Sequence, residues 1–94
     1  MTTLRIEHPI HDYDIWRQAF DRFASARAHA GVRGHAIRLP ADDPHFLTLD
    51  LEFDDASGAQ AFATFLQTNV WSSPEASPGL AGTPRTRILE PKPN

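Results

Sequence analysis

The hydrophobic period of this chain switches between two and 3.6 residues in one particular order, and few folds satisfy that order. Leu4, Ile6 and His8 alternate with Arg5 and Glu7, the signature of a strand with unlike faces, and Pro9 ends it. Asp12 stands where an N-cap would, with Asp14 in the first turn. From Tyr13 to Ala30 the period becomes helical: Trp16, Ala19, Phe20, Phe23, Ala26, Arg27 and Ala30 recur at three- and four-residue steps. That spacing predicts one helix, with Gly31 as its C′ residue. Val32 to Leu39 returns to period two, with His35, Ile37 and Leu39 on one face. After a turn at 40–44, Phe46 to Phe53 is the clearest strand, and it completes a hairpin. Asp54, Asp55 and Ser57 offer caps for a second helix, with Ala59, Phe62, Ala63 and Leu66 on its buried stripe. This helix is expected to fray near Thr68 and Asn69. The stretch from Ser72 to Pro84 is rich in Ser, Pro and Gly, with one short helical turn expected at Pro74. Arg85 to Glu90 is the last strand, and 91–94 is a frayed tail.

The order is therefore β-α-β-β-α-β, the split βαβ arrangement of a ferredoxin-like α+β domain. It makes residues 1–94 one domain, with two helices on one face of a four-stranded antiparallel sheet. Ile6, Ile37, Leu47, Leu49 and Leu51 face the helices. Arg5, Glu7, Arg38, Phe46, Thr48, Asp50 and Glu52 face away. Antiparallel sheets tolerate a wet face, so this second face is either solvated or covered by the sheet of a twin with its charges paired. A domain of this size buries only roughly 60–65% of its unfolded surface, and association is one way to enlarge the core.

Composition removes several function classes. There is no cysteine, hence no disulfide, thiolate metal site, iron–sulfur cluster or Cys nucleophile. The formal charge of -3 and the scatter of Arg and Lys argue against nucleic acid as a partner. No signal pattern opens the chain and no apolar run approaches the ~20 residues of a membrane helix. The expectation is a cytoplasmic protein without membrane contact. Phosphate-binding loops, nucleophile elbows, H-E-x-x-H and dinucleotide fingerprints are all missing from the sequence.

The remaining candidates are single residues. His8 continues the inward face of Leu4 and Ile6, so its ring is expected at a pocket rim under the first helix. A neutral imidazole there is suited to take a proton from an acidic phenol or enol; the bland alternative is a structural His bonded to backbone. His35 falls on the same predicted face, although a one-residue slip of register turns it outward. Arg27 lies on an apolar stripe and needs an acceptor, either a structural carbonyl or carboxylate or a ligand oxygen. Trp16, Phe20, Phe65, Trp71 and Tyr13 offer surface for a flat phenolic or polycyclic ligand, and equally suit a core. Phe23 and Phe62 are assigned to the core. His8 and His11, three apart at a strand end, need not share a face, Asp12 is better used as a helix cap, no third ligand stands at motif spacing, and no metal site is expected. His29 and His45 are expected in solvent.

Three segments carry a wider likeness: His8 to Trp16, Arg27 to Val32, and the turn Asp42-Asp43-Pro44 before an apolar strand. With Phe53 to Leu66 and Gly79 to Pro84, they resemble the dimeric α/β-barrel superfamily, near its antibiotic-biosynthesis-monooxygenase group. The resemblance implies a homodimer whose two sheets form a barrel, and a pocket between helices and sheet. It implies binding of a hydrophobic, oxygen-bearing small molecule, with cofactor-independent monooxygenase chemistry as the enzymatic option. A non-catalytic ligand-binding or assembly role is the alternative. On this reading His8 is the base, and Trp16, Arg27, His35, Phe65 and Trp71 contact the ligand. Haem-degrading members resemble the second helix too, but carry a Trp and then a ligating His where Phe65 and Glu75 stand here. Pro74 and Pro78 also shorten what is a third helix in relatives.

Overall fold

The computed structural model describes residues 1–93; Asn94, the end of the expected tail, lies outside them. Strand β1 spans Thr2–Pro9, β2 Gly34–Arg38, β3 Phe46–Phe53 and β4 Arg85–Leu89. They form one antiparallel sheet in the order β2-β3-β1-β4, as the split βαβ pattern requires. Pairing of β1 with β3 sets Leu4 against Leu51, Ile6 against Leu49 and His8 against Leu47, so one face is apolar along its full length. Leu4, Ile6, Leu47, Leu51 and Phe53 are buried almost completely, which stabilises the fold by roughly 1.5–3 kcal/mol per side chain.

The helices covering that face differ from the expected pair. The first is split into α1, Tyr13–Arg22, and α2, Ala24–His29, about Phe23. The cause is local. The Phe20 carbonyl accepts from the Phe23 N–H, three residues on, and also from the Arg27 guanidinium. A side chain inserted at a carbonyl is a recognised origin of helix kinks. Asp12 caps α1 through the Ile15 N–H, and Gly31 adopts φ 88° after the second piece. Helix α3 spans Ala56–Phe65, capped by Asp55 at the Gly58 N–H. It does not fray at Thr68: it widens into a π-helical turn, Leu66–Val70, closed by the Trp71 N–H on the Leu66 carbonyl.

Residues 73–82 then make the expected turn after Ser73 and strap the end of β1. Ala76 and Ser77 N–H groups donate to the Ser73 carbonyl. His11 N–H donates to the Gly79 carbonyl at 2.9 Å, Ala81 N–H to the Pro9 carbonyl at 3.2 Å, and Leu80 bridges Ile10.

Among the described residues no helix covers the opposite face of the sheet. Across it run Arg87, Arg5 and Asp50 in one row, and Arg85, Glu7, Thr48 and Arg38 in the next. Arg5 grips Asp50 with two bonds of 2.8 Å, and Arg38 adds a third at 3.2 Å. Thr3 donates to Glu52. Much of the charge expected to pair across an interface thus pairs within one chain, and β4 contributes two further cations that the hairpin alone does not reveal.

Candidate functional site

Between the apolar sheet face, α1, α3 and the strap lies a cavity of about 70 Å³. Its walls include Trp16, Phe20, Leu49, Phe62 and Trp71. Its polar side chains are His8, Arg27 and Ser77.

His8 reaches it from β1, only 3% exposed. Its Nδ1 lies 2.9 Å from the Pro9 carbonyl. A carbonyl only accepts, so Nδ1 carries the proton and Nε2 presents a lone pair. Nε2 makes no bond to any described protein group, yet it is not sealed from solvent-sized space either. Burial pushes the imidazole pKa below its ordinary value, and the Pro9 carbonyl opposes that only in part. The ring is therefore neutral at physiological pH, a base with its accepting nitrogen open to the cavity. Trp16 tilts against it, with centroids 6.3 Å apart.

A ladder of rings continues along α1. Trp16 stacks on Phe20 at 5.1 Å, and the Arg27 guanidinium covers the other part of Phe20 at 3.6 Å from its centroid. The kink at Phe23 swings α2 round so that Arg27 can do this. Its structural use, holding the Phe20 carbonyl, and its place on the cavity wall coexist. Burial lowers the guanidinium pKa, with Asp21 opposing and Arg17 adding to the effect. No ion pair compensates Arg27 among the described residues, whereas Arg17 is held by Asp21 and Tyr13.

The structure brings together His8, Trp16, Arg27 and Trp71 of the expected site. It leaves His35 and Phe65 off the cavity wall. The register of β2 does turn His35 to the helix side, where its ring meets the edge of Phe20, but β2 is an edge strand and the side chain stays exposed. Phe65 stacks on Phe62 one helical turn away from the opening. Phe23, assigned to the core, is half-buried and lines the cavity. His8 is buried and His11 exposed, so the two share no face.

Sequence reasoning missed the strap. Gly79 packs so closely that a Cβ there would lie 2.7 Å from the Trp16 Cα and Cβ. Ser77 Oγ lies 3.0 and 2.9 Å from the Val70 and Ser73 carbonyls, tying the π-helical turn to the strap. The signal was present as Ser73-Pro74 and Gly79, but which element they would touch depends on tertiary placement.

No protein-family model matches the chain, and no curated protein matches it. Solved structures do. SnoaB, a cofactor-independent oxygenase from Streptomyces nogalater, superposes with TM-score 0.71 at 17% identity, over 99% of this chain and 94% of that one. An antibiotic biosynthesis monooxygenase superposes with TM-score 0.67 at 11% identity, over 99% and 100%. A dimeric ferredoxin-like protein from an uncultured marine organism gives 0.63 at 11%, over 100% and 97%. The chain has the ferredoxin-like fold of these proteins. At such identities the likeness fixes the fold alone. The superpositions span nearly the whole length of this ferredoxin-like chain, and among its described residues no helix is long and apolar enough to cross a membrane.

Proposed function

We propose that the protein is a homodimer, joined through the open sheet face, that binds a small hydrophobic, oxygen-bearing molecule in the cavity and oxidises it without a cofactor. The observation that carries this is the neutral His8, whose accepting Nε2 opens into an aromatic-walled cavity with no protein partner to satisfy it. Such a nitrogen suits proton abstraction from a phenol or enol near neutral pH. The resulting anion passes electrons to dioxygen, a C–O bond forms as a peroxide, and loss of water from a former CH₂ leaves a carbonyl. Carbon is oxidised, dioxygen is reduced to the carbonyl oxygen and water, and His8 returns its proton. Trp16 and Trp71 wall the ring, and Arg27 orients the oxygen. The cofactor-independent oxygenase and the dimeric protein among the structural neighbours support the chemistry and the assembly.

Oxygen uptake with anthrone-like and quinol substrates tests the reading. Turnover should fall about 10²–10⁴-fold in His8→Ala, with the fold intact by circular dichroism. Unchanged turnover rejects His8 as the base.

A second reading rests on volume. The cavity, at about 70 Å³, is well below the ~300–1,000 Å³ that encloses drug-sized ligands. A fused-ring substrate needs the strap and Trp71 to move. A non-catalytic dimer holding a smaller ligand in this half-open cavity requires less movement. Absence of oxygen uptake with every substrate, alongside saturable binding of small aromatics, selects this alternative.

A further inference from the structure

We propose that the cavity selects small aromatic acids: one ring bearing an anionic oxygen that pairs with Arg27 and a hydroxyl that donates to His8. This rests on the second reading, in which the cavity holds a ligand without oxidising it, since such acids carry no CH₂ for that oxidation, and it names the class of ligand. The argument starts from the mismatch between the two polar ends.

Arg27 gives one guanidinium nitrogen to the Phe20 carbonyl. A guanidinium carries five N–H donors and keeps its charge in proteins. A carbonyl satisfies one donor and neutralises nothing. No carboxylate of the described residues pairs with Arg27, although it is half-buried against Phe20. Asp21, the nearest acid acting on it, is already bound to Arg17. The wall therefore holds a cation whose remaining donors and charge await an acceptor, and a carboxylate matches the fork of a guanidinium with two parallel bonds. The other end is opposite in kind. His8 is neutral with Nδ1 occupied, so Nε2 accepts and cannot donate. A second carboxylate there would face a lone pair; a hydroxyl is complementary.

Between the two ends the wall is apolar and aromatic, built from Trp16 and Phe20 in steps of 6.3 and 5.1 Å. A cavity of about 70 Å³, half the ~150 Å³ that encloses a benzene ring, favours one ring over several and leaves that ring partly in the cavity mouth. A hydroxybenzoate-type molecule combines these features: anion at one end, ring in the middle, hydroxyl at the other. A neutral phenol leaves the cation unmatched. A fused polycycle far exceeds the volume of the half-open cavity.

The test uses the full-length protein with 4-hydroxybenzoate, its neutral analogue 4-hydroxybenzamide, and benzoate, by calorimetry and by the NMR signals of His8 and Trp16. The acid should bind at least about tenfold tighter than the amide, and than benzoate, each difference being worth one charge-assisted or buried hydrogen bond. In Arg27→Gln, which keeps a donor for the Phe20 carbonyl, the preference for acid over amide should vanish while amide affinity holds. Equal affinity of acid and amide for the unaltered protein overturns the inference and leaves the cavity reading intact. That comparison decides alone if the variant does not fold. A preference that survives in Arg27→Gln overturns the role of Arg27. Failure of all three molecules to shift His8 or Trp16 overturns this inference and the ligand site together.

Discussion

Replacing Asp50 by Asn measures whether the open sheet face is wet or covered. Asp50 is the single acceptor for two guanidiniums, Arg5 at 2.8 Å and Arg38 at 3.2 Å, and its neighbour Arg5 lies directly across from Arg87. The Arg5 bond, then its charge, then Arg38 hold the Asp50 carboxyl below its usual pKa, against the opposing effect of burial. In a single chain the cations are wet, Arg5 40% and Arg38 65% exposed. Exposed pairs contribute about 0.2–1 kcal/mol each, so losing both in Asp50→Asn should cost about 0.4–2 kcal/mol in a monomer. If a second copy covers the face, the same change strands two guanidiniums, Arg5 and Arg38, in an interface. Removing one partner of a buried charge pair then costs about 3–5 kcal/mol. The proposed dimer predicts the larger figure. Urea unfolding, followed at low and high protein concentration, separates the cases. The wild-type midpoint should rise with concentration, since assembly stabilises by mass action. In Asp50→Asn the midpoint should drop and the mass from light scattering should shift toward monomer. Because the folded pKa is lowered, the Asp50 contribution is present above the ordinary carboxylate range and fades as pH falls through the folded value. The variant should lose that part of the acid sensitivity. A loss under about 2 kcal/mol with a concentration-independent midpoint would refute the covered face.

Two further outcomes follow from the cavity. The folded chain lowers the His8 pKa, so the unfolded chain binds more protons, and stability should decline as pH falls below about 6.5. Thermal unfolding across that range should show the decline in the wild type and a flatter profile in His8→Gln; parallel profiles would contradict a buried neutral His8. Gly79→Ala forces a methyl group to within 2.7 Å of the Trp16 backbone, and should cost about 1–3 kcal/mol by overpacking. Chemical denaturation measures this, and a neutral result would mean that the strap does not press on α1.

Most of the architecture was legible because two periodicities alternate in one order, and each apolar stripe needs a partner. The strand faces were legible for the same reason: a register fixed by Leu47, Leu49 and Leu51 leaves His8 no choice but to point inward. The helix break was not. Arg27 continues the stripe of Phe20 and Phe23 at helical spacing, and nothing in that spacing states that its guanidinium will seize the Phe20 carbonyl. His35 shows the complementary limit. Alternation assigns it the correct face, but exposure depends on whether a helix extends over the edge strand, and α1 reaches it only through Phe20. Phe65 fails by rotation: α3 turns its buried stripe, Ala59, Phe62 and Ala63, to the sheet and carries Phe65 past the opening. The strap was the least legible part, since Ser, Pro and Gly specify turns and not what the turns lie against.

The kink that hid Arg27 from the sequence is also what makes the site asymmetric. A continuous helix from Tyr13 to Ala30 would run straight on from Phe20 and carry Arg27 along the same axis as Trp16. The chain instead breaks at Phe23, and the Arg27 guanidinium covers the ring two turns before it and lines the same cavity as His8. The same carbonyl that ends α1 holds the cation in place. One local event therefore supplies the acceptor that a half-buried Arg requires, terminates a helix, and brings a donor to the cavity that His8 also lines. A substitution that straightens the helix should alter ligand choice as well as stability, because geometry and electrostatics at this site share a single hydrogen bond.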